Sequence, residues 1–147
     1  MEIAKSAAGM DGASTIHLSM FGANPLFYHG NKEQLQKYLP DVASGKLHVC
    51  FGVTKPNVGT DTARITTFAK KQGDKYIING HKVFITKAQK ADLILLLTRT
   101  TSYEEVEKKT DGMSLFFASL DRAAITIKEV EKMGGNGIDT NELFIAY

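Results

Sequence analysis

From about residue 46 onward the apolar residues recur with a strand period, and this limits the fold more than any other feature of the chain. Val49, Phe51 and Val53 alternate first. Ala63 to Lys70 alternates through Ile65, Thr67 and Ala69, and Gly73-Asp74 turns the chain into Lys75 to Ile78. Asn79-Gly80 reads as a two-residue hairpin turn, with a further strand from Lys82 to Thr86. Leu93 to Leu97 is continuously apolar, as a strand buried on both faces requires. Thr100 to Asp111 is polar and reads as an exposed excursion, before strands at Ser114–Ser119, Ile125–Val130 and Leu143–Ala146. About eight short strands at regular spacing predict a mainly β domain, either a barrel or a sandwich.

The first 44 residues follow a different rule and read as helical. Ala7, Ala8, Ala13, Ile16, Leu18, Met20 and Phe21 form a small, apolar segment, which Gly9, Gly12 and Gly22 weaken as a free-standing helix. Asn31 is an N-cap candidate, with Gln34 at capping-box spacing. Leu35, Tyr38 and Leu39 then recur at helical spacing, and Pro40 and Gly45 are expected to end the helix. A helix pair this short does not make a bundle. Its apolar face calls for a partner, and the chain reads as a piece of something larger.

Composition removes several function classes. The 147 residues are 43% hydrophobic and 23% charged, which describes neither a disordered nor a membrane-spanning chain. The net charge is +2 and no Lys/Arg cluster argues for nucleic acid. No run of 18 apolar residues predicts a membrane-spanning helix, and Met1 to Lys5 shows no secretory n-region. The single Cys50 excludes an internal disulfide and reads as a buried structural thiol, compatible with the cytoplasm or another reducing intracellular compartment. His17, His29, His48 and His81 share no metal-ligand spacing, so no metal is expected; His81 is expected to be exposed. Gly134-Gly135-Asn136-Gly137 reads as a flexible turn, since no strand-to-helix context makes it a phosphate loop.

The chemistry concentrates at two strand ends. Cys50 to Asp61 runs from an apolar strand into a polar loop, with Thr54 at the strand end and Gly59, Thr60 and Asp61 beyond Pro56. A glycine beside a hydroxyl residue lets backbone N–H groups approach an anion. Phe84, Ile85 and Thr86 end a second strand. Two strand ends, each with a threonine and an aromatic or apolar neighbour, suit a planar, polar-edged ring attached to a phosphate. On the residues alone, Thr54 and Thr86 remain open to a purely local role at strand ends, and Phe51 and Phe84 to a place in the core.

Five segments in order carry a resemblance. Gln36-Lys37-Tyr38-Leu39-Pro40, Phe51-Gly52-Val53-Thr54-Lys55-Pro56-Asn57-Val58-Gly59-Thr60-Asp61, Asp74 to Lys82, Phe84-Ile85-Thr86 and Lys132-Met133-Gly134 follow one another from about Gly30 onward. Together they resemble the acyl-CoA dehydrogenase family of flavoenzymes, whose signatures are written T-E-P-x-x-G-S-D, Y-x-I-N-G-x-K and W-I-T-N. The resemblance implies a middle-domain β-barrel at residues 45–147, preceded by α-helices from the end of an N-terminal helical domain at residues 1–44. The family's C-terminal helical domain is expected to be absent.

The implied function is FAD-dependent α,β-dehydrogenation of an acyl-CoA thioester. Electrons would pass to an electron-transfer flavoprotein, and the parent would be a homo-oligomer, commonly a tetramer. The catalytic base is expected in the C-terminal domain, so no residue here takes that role and the chain alone is expected to be inactive. The resemblance implies that Phe51, Gly52, Val53 and Thr54 line the flavin ring and that Phe84, Ile85 and Thr86 flank it. Gly59 and Thr60 would approach the pyrophosphate, with Thr60 also near the CoA ligand. Lys55 stands where the family usually has Glu, Thr60 replaces Ser, Phe84 replaces Trp and Lys87 replaces Asn. Two other readings stay open: a non-catalytic protein-binding β-domain, and an acyl-CoA oxidase-type activity of the parent.

Overall fold

The computed structural model describes Lys5, residues 9–135 and residues 137–146. Helix α1 runs from Gly9–His29 and α2 from Lys32–Ala43. The capping box forms as expected: the Asn31 side chain accepts from the Gln34 N–H at 2.8 Å, and the Gln34 side chain accepts from the Asn31 N–H at 2.9 Å. Pro40 does not end α2, which continues to Ala43 before Gly45 turns the chain at φ +73. The helical reading of residues 1–4 and 6–8 lies outside the described residues, as does Asn136 of the glycine-rich turn.

Among the described residues seven strands build one curled sheet: β1 Val49–Gly52, β2 Phe68–Gln72, β3 Lys75–Thr86, β4 Leu93–Arg99, β5 Met113–Ser119, β6 Ile125–Glu129 and β7 Thr140–Ala146. The order is β1-β4-β2-β3-β7-β6, with β5 on the other edge of β4. The chain is mostly strand, a half-barrel preceded by helices. Strand β4 is central, parallel to β1 and antiparallel to β5, which explains its unbroken apolar run. Ile94 and Leu96 meet Ile78, Ile85, Leu143 and Ile145 in the core.

The expected hairpin at Asn79-Gly80 does not form. Strand β3 passes straight through both residues and pairs with β2 on one side and β7 on the other. The turn is Gly73-Asp74, with Gly73 at φ +62. Gly80 serves close packing instead: a Cβ there would lie 2.5 Å from Thr67 Cγ2. Likewise the stretch from Ala63 is not strand throughout, because Thr62–Arg64 forms a 3-10 turn and β2 begins at Phe68.

Helix α1 packs on β1 by the same device. A Cβ at Gly22 would stand 2.5 Å from Val49 Cγ1 and 2.9 Å from Val49 Cβ. The glycine that weakens the free helix is what lets it reach the sheet. Gly22→Ala is therefore expected to destabilise the chain by about 1–3 kcal/mol through overpacking, despite the gain in helix propensity. A thermal melt showing an unchanged or raised Tm would contradict this packing.

Candidate functional site

A cleft of about 250 Å³ opens where α1, β1 and the end of β3 meet. Phe51, Val53 and Thr54 line it from β1 and its continuation, and Phe84 and Thr86 line it from β3. His17, Leu18 and Phe21 close it from α1. Their rings continue into the sheet: His17 meets Phe21 edge-on at 4.4 Å, and Phe21 meets Phe51 at 6.4 Å. No carboxylate lines this cleft among the described residues.

The backbone of β3 is specialised here. A bulge between Lys82 and Ile85 interrupts its register with β7. Phe84 sits in the left-handed region at φ +58 and leaves 65% of its surface exposed. Lys87 is left-handed too, at φ +68. Non-glycine residues in this region cost of order 1–3 kcal/mol each and persist only where the surroundings enforce them. One such constraint is Asn141, fully buried, whose Nδ2 donates to the Ile85 carbonyl at 3.0 Å. Another is the Lys87 N–H, which donates to the Asp139 carbonyl at 3.3 Å. The Lys87 Nζ donates to Ser19 Oγ at 3.0 Å, tying α1 to the strand end. Burial holds the Lys87 amine below the usual lysine range, against the opposing pull of Asp139 and Asp92.

The expected site residues separate into three groups. Phe51, Val53, Thr54, Phe84 and Thr86 share the cleft. Ile85 turns its side chain into the core at 1% exposure, and Gly52 is buried against Ile94 and Leu96, so neither lines the cleft. Gly59 and Thr60 stand in the exposed loop beyond, outside the cleft lining. His81 is only partly exposed, contrary to expectation. It stacks on Phe144 at 4.3 Å and its Nε2 lies 2.6 Å from Glu142 Oε1. Cys50 is buried as expected, and desolvation pushes its thiol up to about 12.

Two further buried residues lie outside the cleft lining: Lys82, which closes the Asp74-to-Lys82 segment, and Arg99, which belongs to no motif. Lys82 is fully buried; its Nζ donates to the carbonyls of Val53 and Leu97, both at 2.8 Å. Burial, reinforced by nearby Lys55, pulls this amine down to about 7. Arg99, 2% exposed, donates to the carbonyls of Ile65, Asp111, Ala63 and Lys109. For Lys82 the alternation of β3 carries the signal. Ile78, Gly80 and Lys82 fall on one face, and Ile78 is core.

The family model of the acyl-CoA dehydrogenase middle domain matches residues 50–146, and that of the N-terminal domain matches residues 1–46. The chain belongs to the acyl-CoA dehydrogenase family. An acyl-CoA dehydrogenase of Bacillus subtilis is 34% identical over 143 residues, covering 97% of this chain and 36% of that protein. The caffeyl-CoA reductase-Etf complex subunit CarC of Acetobacterium woodii is 32% identical over 142 residues, covering 94% of this chain and 36% of the relative. In three dimensions the chain is similar to an acyl-CoA dehydrogenase from Geobacillus kaustophilus. There the TM-score is 0.79 at 33% identity, covering 92% of this chain and 37% of that one. The chain thus spans about a third of the length of the acyl-CoA dehydrogenases it matches. No described helix is long and apolar enough to cross a membrane, and no described cluster of His, Cys, Asp and Glu has the makings of a metal site.

Proposed function

We propose that this chain is the flavin-contacting part of an FAD-dependent oxidoreductase that dehydrogenates an acyl-CoA thioester between its α and β carbons. Residues 1–44 are then the end of an N-terminal helical unit and residues 45–147 a middle β-domain. The observation that carries this reading is the exposed ring of Phe84, held at positive φ beside Thr54 and Thr86 at the mouth of one cleft. A strained, solvent-facing aromatic next to two hydroxyls fits a planar ring with a polar edge. A flavin bound there supplies the acceptor for the hydride that leaves the β carbon.

The chain's own residues have separable tasks. Phe84, Phe51 and Val53 would give the ring apolar contacts. The hydroxyls of Thr54 and Thr86 donate to its polar edge, where a donor stabilises the negative charge that reduction brings. Gly59, without a Cβ and with open space around it, and the Thr60 hydroxyl meet the pyrophosphate, with Thr60 also near the CoA ligand. The proton-abstracting carboxylate comes from outside this chain. A relative named as part of an Etf complex supports an electron-transfer flavoprotein as the partner that reoxidises the parent, itself a homo-oligomer.

Titrating the 147-residue chain with FAD and following flavin fluorescence tests this reading. Saturable binding is expected, weakened at least tenfold in the double variant Thr54→Ala/Thr86→Ala. Circular dichroism should report an unchanged fold. Equal affinity in wild type and variant would remove both threonines from the site.

A further inference from the structure

The loop that joins β1 to β2 is the least regular part of the candidate site and supplies Val53 and Thr54 to the cleft. It leaves the sheet after Gly52 and rejoins it at Phe68, and Asn57, Gly59, Thr60 and Asp61 are exposed along the way. Most of its own backbone bonds are short-range: Val58 N–H to the Lys55 carbonyl, Arg64 N–H to Asp61, and Ile65 N–H to Thr62. Between its first residues and β3 there is one backbone tie, from the Val83 N–H to the Thr54 carbonyl at 3.0 Å. At its far end the Arg99 N–H donates to the Thr67 carbonyl at 2.8 Å, so the backbone holds each end of the loop to the sheet by a single bond of this kind, and the remaining bonds shape it locally.

Two buried cationic side chains reinforce those ties, one at each end. At the start, the Lys82 Nζ joins the Val53 carbonyl to the Leu97 carbonyl of β4. At the end, the Arg99 Nε takes the Ile65 carbonyl at 3.2 Å and an Nη2 donor takes the Ala63 carbonyl. The other bonds of the Arg99 guanidinium go to Asp111, at 3.0 Å, and to Lys109 in the loop before β5. Among the described residues neither cation has a carboxylate partner. Buried charges are ordinarily paired with an opposite charge. Here both give their hydrogen bonds to backbone carbonyls, of which all but that of Leu97 in β4 lie outside the strands and need donors.

We propose that Lys82 and Arg99 are a pair of positioning residues that pin the two ends of the 53–65 loop and so hold Thr54, Gly59 and Thr60 in register with Phe84 and Thr86. This rests on the flavin reading for its consequence, but the pinning itself is a property of the fold. The two pins are chemically distinct. An amine needs only two N–H groups for two carbonyls, so Lys82 holds whether protonated or neutral. Arg99 must reach carbonyls in two separate loops, which takes the fork of a guanidinium and is beyond the single nitrogen of a lysine.

Hydrogen–deuterium exchange on the full 147-residue chain tests the pins directly, comparing wild type with Lys82→Met and Arg99→Lys. Both variants keep an unbranched chain in the site. Lys82→Met is expected to speed exchange at least tenfold at Val83 and through residues 50–58. Arg99→Lys is expected to do so through residues 60–67 and 100–112. Residues 75–79 and 143–146 should keep their protection. Unchanged loop exchange, or equal acceleration in those strand segments, would overturn the proposal and leave both side chains as general stabilisers.

The same variants titrated with FAD should bind at least tenfold more weakly than wild type. Unchanged affinity with a loosened loop would overturn the link between pinning and binding. Absence of FAD binding by wild type would overturn the flavin reading, while the exchange pattern still decides the pins.

Discussion

Arg99→Ala is expected to be the most damaging single substitution in the chain, lowering stability by about 4 kcal/mol or more. Arg99 is 2% exposed and its guanidinium serves four carbonyls. Truncation leaves those acceptors without donors and opens a cavity beneath the ring of Tyr103, which lies 5.0 Å from the guanidinium carbon. Each buried polar group left unpaired costs about 1–3 kcal/mol, and water admitted to the cavity recovers part of it. Urea unfolding measures the result. A midpoint within a few tenths of molar of wild type would mean that the carbonyls find other partners and that Arg99 contributes little.

Stability is also expected to rise with pH above neutrality, by about 2 kcal/mol between pH 7 and 9, following the linkage of proton binding to folding. Lys82 titrates near 7 in the folded chain, because burial and then Lys55 disfavour its charged form. In the unfolded chain a lysine titrates near about 10.4. Between those values the unfolded state binds the additional proton, so raising the pH favours the native state. Lys87, displaced in the same direction, adds with the same sign.

Cys50 opposes them. Its folded value near 12 lies above the unfolded one, so its contribution is present at lower pH and is lost as the unfolded thiol ionises from about pH 9 upward. The rise should therefore flatten above pH 9, and Lys82→Met should abolish most of it. A stability profile that falls from pH 7 to 9, or that is the same in Lys82→Met, would show that Lys82 is not a buried titrating amine.

How far the sequence is legible varies from element to element. The capping box at Asn31 and Gln34, the β4 run and the buried Cys50 depend on neighbours close in sequence or on simple hydrophobicity, and each forms as read. Asn79-Gly80 misleads because glycine has two uses. Turn chemistry explains such a pair when φ is positive, whereas Gly80 is required by the side chain of Thr67, thirteen residues away (about one strand and turn). Pro40 misleads more mildly, since α2 absorbs it and continues for three residues. The exposed reading of His81 fails because its partners, Phe144 and Glu142, lie on β7 far along the chain.

The candidate site divides in the same way. Thr54, Phe84 and Thr86 are found from their place in linear motifs, which report residue types at strand ends. The wall made by His17, Leu18 and Phe21 is not, because these residues come from a helix some 30 to 70 positions away in sequence and present only ordinary helix spacing. Nor is the buried role of the two pins, although Lys82 closes the Asp74-to-Lys82 segment, since a lysine or an arginine in a strand usually points to water.

Local pattern was enough for the period of each segment, the presence of a helical start and a strand-rich remainder, and the family's motifs in order. Long-range packing decided the rest: the β1-β4-β2-β3-β7-β6 order, the close approach of α1 through Gly22, the left-handed turn of Phe84 out of the sheet, and the burial of Lys82 and Arg99. The reason is that propensity and periodicity act over a few residues, whereas a buried cation or a strained ring is stable only when distant carbonyls and strands are already in place to hold it.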